Sequence, residues 1–463
     1  MIRVTWLKPE ERLEAEFQQL AEEGVDASSL RSRWEGLRSG VADPVELRQD
    51  AERLLDECRA LADAQADRLP FEPSELEEIL PPGPAGSAGG TPRRLSDGAL
   101  DDRIGGGWLG RLAGCLLGKP MESVPREGIR AILQSGGQWP LADYITAAGV
   151  PAEVRARYPF NRTAQQHSLR ETMACMPEDD DSNYTMLSLY IRETAGEAFT
   201  TDDVATAWLR LLPALRVYTA ERVAYQNLLD LLTPPETARF RNPYREWIGA
   251  QIRADLWGWI APGDPRQAAA LAWQDARLSH VKNGLYGAMA VAAMIAEAFV
   301  AADVGQIIAA GLAVIPPSSR LAEAIRFSVG TAGRLDDFEQ AVDAVYARYG
   351  HYHWVHTINN ATIVVLALLY AGGEYERAIG QAVTGGWDTD CNGATVGSIM
   401  GTMLGRRGIP AQWSAPLRDR VRSSMAGFDN SSIEELIRRT IRCVPARYRQ
   451  PSGVPGDRPP RDE

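Results

Sequence analysis

The amino-acid sequence predicts an all-α protein, and two observations support this fold class. Long segments carry apolar residues at helical spacing, as in residues 200–215 ("TTDDVATAWLRLLPAL") and 286–315 ("YGAMAVAAMIAEAFVAADVGQIIAAGLAVI"). Few segments alternate apolar and polar residues with a period of two, and none of them is flanked by hairpin turns. We therefore expect helices that pack their apolar faces together, without a sheet.

Composition and charge exclude several classes of protein. The 463 residues are 45% hydrophobic and 24% charged, which is ordinary for a soluble globular protein. A net charge of −12 argues against a nucleic-acid-binding protein or one that binds anionic membranes, since both need clustered basic residues. The first residues lack the order of a signal peptide, and the five cysteines form no CxxC pair. We expect a cytoplasmic protein in a reducing compartment.

The chain divides into four parts by composition. Residues 1–80 carry apolar positions at helical spacing and predict a small N-terminal helical module, whose partner the sequence does not identify. Residues 81–96 are rich in Pro, Gly and Ser and predict a flexible linker. Residues 97–445 predict the main helical domain, interrupted by an irregular segment over 123–177. Residues 446–463 predict a disordered tail.

The first acidic cluster is "PEDDDSNYTMLSLYI", in which Glu178, Asp179, Asp180 and Asp181 precede an apolar helical pattern. Acidic residues at a helix start can cap free backbone N–H groups and complement the helix dipole. Four consecutive acids exceed that need and repel one another unless a cation neutralises them. Two interpretations therefore stay open here: helix capping, or binding of a hard divalent cation such as Mg²⁺.

The second acidic cluster is "GGWDTDCNGATVGSIMG", residues 385–401. Asp388 and Asp390 are two positions apart, so on a loop that enters a helix both carboxylates can face one ion. This pairing favours the metal-binding interpretation of both clusters.

Glycines recur at every fourth position in two segments, which predicts helices with a face free of side chains. The positions are Gly110, Gly114 and Gly118 in the first segment, and Gly393, Gly397 and Gly401 in the second. Glycine costs about 1 kcal/mol per helical position relative to alanine, so these helices are expected to approach a neighbour closely. Such packing would bring Glu122 and the two acidic clusters together, although close packing without any chemistry explains the glycines equally well.

In their order along the chain, the glycine-rich segment ending at Glu122, the acidic "DD" segment and "GGWDTDCNGATVG" resemble the ADP-ribosylglycohydrolase superfamily, of the dinitrogenase-reductase-activating glycohydrolase type. The resemblance spans roughly residues 103–405. It implies an all-α fold with two divalent cations, usually Mg²⁺ with Mn²⁺ as the alternative, at the floor of a cleft that holds the ribose of an ADP-ribosyl group.

The resemblance also implies roles for individual residues. The metal ligands fall on Asp179, Asp180, Asp181, Asp388, Asp390 and Cys391. The candidate catalytic residues are Glu122, Asp180 and Asp390. Cys391 departs from the family pattern, because many relatives have a metal-binding Thr there and a thiol is a poor ligand for Mg²⁺. We expect Asn392 or water to replace that ligand, or one metal site to be weakened.

Further polar residues are candidates for binding the substrate, with a structural role as the alternative for each segment. Asp275, Ser279 and His280 precede a Gly/Ala-rich helix in a segment that resembles one near the family's cleft. His356, Asn359 and Asn360 stand on the turn into an apolar helix, where they either line the cleft or cap the helix. Gly386, beside the second acidic cluster, completes the candidates.

The sequence thus predicts a metal-dependent hydrolase that cleaves the glycosidic bond of an ADP-ribosyl or related ribosyl substrate. Two alternatives remain. One is an N- or O-ribosyl hydrolase of a small nucleoside or nucleotide metabolite, and the other is a non-enzymatic binding or structural relative. The expected partner is an ADP-ribosylated or ribosylated substrate, with no nucleic acid and no membrane.

Overall fold

A computed structural model describes residues 5–40, 43–65, 71–81 and 94–451 of the chain. Within these ranges the regular secondary structure is entirely helical, with isolated β-bridges but no β-strand. The prediction of an all-α fold is therefore confirmed. None of the helices in these ranges is both long enough and apolar enough to cross a membrane.

The N-terminal part consists of a helical bundle with an apolar core of its own. The helices of this bundle are α1 (Pro9–Glu23), α2 (Ser28–Gly40) and α3 (Pro44–Gln65). The short α4 (Leu76–Ile79) packs instead on the main body, where Ile79 and Leu80 join the core. Leu13, Phe17 and Leu20 of α1 pack with Trp34 and Leu54, all nearly inaccessible to solvent. This separate core supports the predicted module over residues 1–80, whose boundaries stay a prediction.

The remaining helices enclose one large hydrophobic core. They are α5 (Asp97–Gly118), α6 (Arg126–Ser135), α7 (Ala152–Arg157), α8 (Asp180–Ala195), α9 (Thr201–Leu211), α10 (Thr219–Leu229), α11 (Glu236–Arg239), α12 (Asp255–Trp259), α13 (Pro265–Ala276), α14 (Lys282–Ala298), α15 (Val304–Ala313), α16 (Arg320–Ala332), α17 (Phe338–Tyr349), α18 (Thr357–Tyr370), α19 (Tyr375–Thr384), α20 (Thr389–Leu404), α21 (Ala411–Ser414) and α22 (Ile433–Cys443).

Helices α5 and α20 form the centre of this core, and their glycines face each other. A Cβ atom on Gly110 would overlap the carbonyl oxygen of Gly397, and one on Gly114 would overlap that of Gly393. The predicted close approach of the two glycine-rich helices is therefore confirmed. Thr389 Oγ1 donates a hydrogen bond to the carbonyl oxygen of Gly118 over 2.9 Å, so the start of α20 is fixed against the end of α5.

Helix α1 docks on the main body through buried charged groups. Arg245 donates hydrogen bonds to Glu16 over 2.8 Å and to Glu23 over 2.6 Å. Gln19 Nε2 donates to Glu246 Oε1 over 2.8 Å, and Arg320 also reaches Glu246 over 2.7 Å. The N-terminal bundle therefore has its own apolar core and contacts the main body through these charged groups together with a small apolar cluster, in which Ala15 packs against a group that includes Tyr244 and Trp247.

Two regions differ from the sequence-based expectation, and a third falls outside the description. The segment expected to be irregular contains α6, which buries Ile129, Ile132 and Leu133 at helical spacing. Residues 446–451, assigned to the tail, include a 3₁₀ turn with Tyr448 buried, and its carbonyl oxygen accepts a hydrogen bond from the Leu95 N–H over 2.9 Å. Most of the predicted linker, residues 82–93, and the tail beyond 451 lie outside the described residues.

Candidate metal centre

The two acidic clusters lie at the N-terminal ends of α8 and α20. Asp179 is the N-cap of α8, and its Oδ1 accepts a hydrogen bond from the Asp181 N–H over 2.9 Å. Asp388 is the N-cap of α20, and Asp390 lies in the first turn. Both helix starts therefore place carboxylates where the free N–H groups and the helix dipole favour negative charge. The capping interpretation of the sequence is thus correct for Asp179.

The two clusters also touch each other, so capping does not account for the whole arrangement. The Cys391 thiol donates to Asp181 Oδ2 over 3.3 Å, joining the first turn of α20 to that of α8. Among the residues that the structure describes, potential ligand atoms within 4.8 Å of one another form two groups. One group is Cys115, Asp179 and Asp181, and the other is Asp388, Asp390 and Cys391. The geometry therefore brings the predicted metal ligands of both motifs together.

Burial and mutual repulsion dominate the electrostatics of this centre. Burial, followed by the charges of neighbouring carboxylates, raises the pKa of Asp180 and of Asp388 well above the ordinary value. Burial and then the charge of Asp390 raise the pKa of Glu122 to about 8. Asp390 Oδ1 is buried and has no hydrogen-bond partner among the described residues. Such a group is the kind of unsatisfied oxygen that a bound cation would satisfy.

Glu122 follows the 3₁₀ turn Lys119–Met121 at the end of α5, and its carboxyl group lies within range of the charge of Asp390. Its Oε2 accepts a hydrogen bond from Asn161 Nδ2 over 2.8 Å. Asn161 belongs to the segment that the sequence shows only as irregular, and no motif identified it beforehand. This hydrogen bond holds the Glu122 carboxyl group in one orientation.

Helix α5 supplies three further polar residues that the sequence analysis missed. Lys119 forms an ion pair with Asp179, and the Cys115 thiol donates to Asp179 Oδ1 over 3.5 Å. Fully buried Arg111 bridges Asp181, over 3.0 Å, and Asp255, over 2.7 Å. Arg111, Cys115 and Lys119 are four residues apart, so they share one face of α5. The spacing predicts the shared face, whereas the contacts with Asp179 and Asp181 depend on the tertiary fold.

The residues present fit a divalent cation. Six carboxyl groups meet here, from Glu122, Asp179, Asp180, Asp181, Asp388 and Asp390, and within the described ranges only two cationic side chains contact them. Arg111 is shared with Asp255, which leaves an excess of negative charge. Burial raises the pKa of both Cys115 and Cys391 well above the ordinary value, so the thiols are neutral and the available charged ligands are oxygen atoms. Oxygen donors suit Mg²⁺ or Mn²⁺.

Asn360 fixes the loop that carries Asp388. Its Oδ1 accepts hydrogen bonds from the Asp388 N–H over 3.1 Å and from Asn392 Nδ2 over 2.8 Å. The same loop contains Gly386, which has a φ of 83°, and Trp387, whose ring stacks on Tyr346 with centroids 4.0 Å apart. A Cβ at Gly386 would meet the Tyr346 hydroxyl, so glycine permits this stack beside the acidic centre.

Arg253 donates to Asp275 over 2.8 Å and to Ser279 Oγ over 2.9 Å, and Ser279 Oγ lies 2.8 Å from His280 Nδ1. The candidates Asp275, Ser279 and His280 make these side-chain contacts with Arg253 and within their own group, and not with the residues of the candidate metal centre. All four side chains are buried, with exposures of 2% or less. This arrangement supports a structural role for the group, and a direct role in binding substrate stays a prediction.

His356 and Asn359 lie on the side of α18 that faces the N-terminal bundle. His356 is the N-cap of α18, with Nδ1 accepting from the Ile358 N–H, and its Nε2 lies 3.8 Å from Glu22. Asn359 Nδ2 donates to the carbonyl oxygen of His353 over 3.1 Å. The capping interpretation is therefore correct for His356, and the neighbouring Asn360 is the residue that reaches the acidic loop.

Comparisons with known proteins gave matches to a solved structure and to a family model. A solved chain described as "ADP-ribosylglycohydrolase-related protein complex" is 18% identical, with a TM-score of 0.46, and the match covers 75% of this chain and 98% of that one. No curated protein matches the sequence. The family model described as ADP-ribosylglycohydrolase matches residues 96–449, from the N-cap of α5 to just beyond the last 3₁₀ turn. The match covers well over half of the sequence, and the chain therefore belongs to the ADP-ribosylglycohydrolase family.

Proposed function

We propose that this protein is a metal-dependent hydrolase that cleaves the glycosidic bond of an ADP-ribosyl or related ribosyl substrate. The observation that carries the proposal is the meeting of six carboxyl groups, from three segments of the chain, with two cationic side chains among the described residues. Family membership supports glycohydrolase chemistry in general. The dinitrogenase-reductase-activating type and the cytoplasmic location remain parts of the proposal.

Two ions, Mg²⁺ or Mn²⁺, are proposed for the two groups of facing ligand atoms. Asp179 and Asp181 would hold one, and Asp388 and Asp390 the other, with Asp180 beside both. When bound, such ions polarise ribose hydroxyls and lower the pKa of a bound water. Lys119 already neutralises Asp179, so we expect the Asp388 group to bind its ion more tightly.

The protein's own groups provide the remaining functions. Glu122 accepts a hydrogen bond from Asn161, and burial and the charge of Asp390 raise its pKa, so in this proposal it holds a proton and gives it to the leaving group. The stacked Trp387 and Tyr346 form an aromatic wall next to the Asp388 loop, suited to packing against a sugar or a base. Asp180 and Asp390 supply the negative field that favours an oxocarbenium-like transition state.

The experiment is a release assay on ADP-ribosylated proteins and on small ribosides, with Mg²⁺, with Mn²⁺ and with EDTA. We expect release that requires the metal and that falls by at least about 100-fold in Asp390→Asn, the scale of losing one electrostatic catalytic group. Asp303→Asn is the matched control, because Asp303 caps the distant α15 and asparagine caps equally well. Release in EDTA, or by Asp390→Asn, that equals release by the parent with Mg²⁺ would contradict the proposal.

The small-metabolite alternative uses the same metal centre and differs in the leaving group. The same panel separates the two functions, since that alternative requires turnover of free nucleosides or nucleotides and none of ADP-ribosylated proteins. A non-enzymatic relative would turn over neither class.

A further inference from the structure

A cavity lies between the N-terminal bundle and the main body. It has a volume of about 540 Å³ and is formed by residues that precede or belong to α1 and α3 on one side, and by α10 and Phe240 to Arg241 on the other. This volume is within the range of about 300 to 1,000 Å³ typical of small-molecule sites. None of its lining residues belongs to the metal centre.

Arg12 is the central polar group of this cavity. Its side chain belongs to a residue only 4% exposed, and in the described part of the chain no carboxylate lies within 4.0 Å of its guanidinium. Nε donates to the Trp6 carbonyl oxygen over 3.1 Å, and Nη2 donates to Gln226 Oε1. Burial lowers the pKa of Arg12 to about 10, and the charges of Glu52 and Asp230 oppose this shift only in part. A buried guanidinium in this state favours an anionic ligand.

The other charged lining groups strengthen this preference. Lys8, Arg48 and Arg241 also line the cavity, against two acids, Glu52 and Asp230. Four cationic and two anionic side chains give the lining a formal charge of +2, in a chain whose net charge is −12. Arg241 is paired with Glu52 over 3.0 Å. Lys8 and Arg48 have side chains that are more than half exposed. Each of them contacts an acid outside the lining, Lys8 at 3.3 Å and Arg48 at 4.0 Å. These two cations are therefore free to turn toward a bound anion.

Apart from Gln226 and Asn227, the remaining part of the lining is apolar. Leu7, Pro9, Leu55 and Phe240 contribute to it. The Arg241 guanidinium lies over the Phe240 ring, 5.0 Å from its centroid, which leaves an aromatic and cationic surface next to Arg12. Such a surface suits a planar base or another aromatic group.

We propose that this cavity binds an organic phosphate of mononucleotide size, with its phosphate at Arg12 and its apolar part against Phe240. Arginine binds phosphate oxygens through paired, charge-assisted hydrogen bonds, which supplies most of the affinity. The site is separate from the metal centre, so a ligand bound there would connect the N-terminal bundle to the main body without entering the catalytic cleft.

The test is calorimetric titration of the full-length chain with AMP, with adenosine and with inorganic phosphate, in EDTA. The protein carries Asp390→Asn so that binding at the metal centre does not contribute. We expect AMP to bind more tightly than either of its parts. Arg12→Gln should weaken AMP binding by about 10-fold or more, and Arg48→Gln, at the exposed rim, by about threefold. Arg38→Gln is the control, because Arg38 is an exposed residue of the same bundle paired with Glu14 outside the cavity.

Two outcomes would overturn the proposal. One is the absence of AMP binding below about 1 mM, which corresponds to about 4 kcal/mol of binding free energy. The other is a combined result: Arg48→Gln binds AMP as tightly as the parent does, and the parent binds adenosine as tightly as it binds AMP. Arg48 is largely exposed, so its variant keeps the test decisive even if Arg12→Gln lowers the melting temperature.

Discussion

The Cys391 thiol donates a hydrogen bond to Asp181 Oδ2 over 3.3 Å and thereby connects the two acidic helix starts. The contact joins residues 210 positions apart in the chain. Because burial keeps the thiol protonated, it contributes a weak neutral donor where a hydroxyl would contribute a stronger one and a ligand oxygen as well.

We predict that Cys391→Thr tightens Mg²⁺ binding by about threefold to 10-fold, because it adds an oxygen ligand suited to a hard cation. Cys391→Ala should leave the affinity nearly unchanged and lower the stability by about 1 kcal/mol, the value of one lost hydrogen bond. Calorimetric Mg²⁺ titration and thermal melting measure both effects. If the Thr variant loses stability with unchanged affinity, Cys391 is a packing residue and the transfer of the family's metal motif onto it is wrong.

A second prediction concerns the metal-free protein. Asp390 has a buried oxygen without a partner and lies among other carboxyl groups, so its burial opposes folding when no cation is bound. Asp390→Asn should therefore stabilise the metal-free protein by about 1 to 2 kcal/mol and abolish the stabilisation that Mg²⁺ gives to the parent. Thermal melting with and without EDTA measures this. A variant that is less stable than the parent in EDTA would show that the Asp390 carboxylate is satisfied without a metal.

The sequence was sufficient to predict the all-α class and the meeting of the acidic motifs, because helical periodicity and glycines at every fourth position are local signals with a direct geometric meaning. It was not sufficient to identify Lys119 or Asn161. Their roles depend on which distant residues they face, and Asn161 lies in a segment without periodicity. His280 shows the opposite case: its ring resembles a catalytic group by residue type, yet tertiary packing surrounds it with Arg253 and Ser279.

The third prediction tests the packing of α5 on α20. Gly110→Ala should destabilise the protein by about 3 kcal/mol or more, because the added methyl group overlaps the backbone of α20 at Gly397 and neither helix can move away without opening the core. Gly36→Ala is the control: Gly36 lies inside α2 with no atom within 4 Å of an added Cβ. There the change should stabilise by about 0.5 to 1 kcal/mol. Urea unfolding measures both, and equal effects of the two substitutions would contradict the close helix contact.

The last prediction concerns Glu22, a buried residue of α1 at the contact with the main body. Its Oε1 accepts hydrogen bonds from Gln18 Nε2 over 2.8 Å and from the His353 N–H over 3.1 Å, while Oε2 has no partner among the described residues. Burial raises the pKa of Glu22 from 4.5 to about 7. Between these two values the folded protein holds a proton that the unfolded chain has released. The free energy of unfolding therefore falls as the pH rises through this window and levels off above about pH 7.

Glu22→Gln should remove this dependence, because glutamine keeps the shape of the side chain and cannot ionise. We expect the variant and the parent to differ little near pH 5, and the variant to be more stable by about 1 to 3 kcal/mol near pH 8. Urea unfolding at several pH values between these limits gives the difference, with Glu35→Gln as the control, since Glu35 is an exposed residue of the same bundle. A difference that is constant with pH would mean that Glu22 does not titrate in this range. A difference that shrinks as the pH rises would mean that the ionised carboxylate stabilises the contact between α1 and the main body.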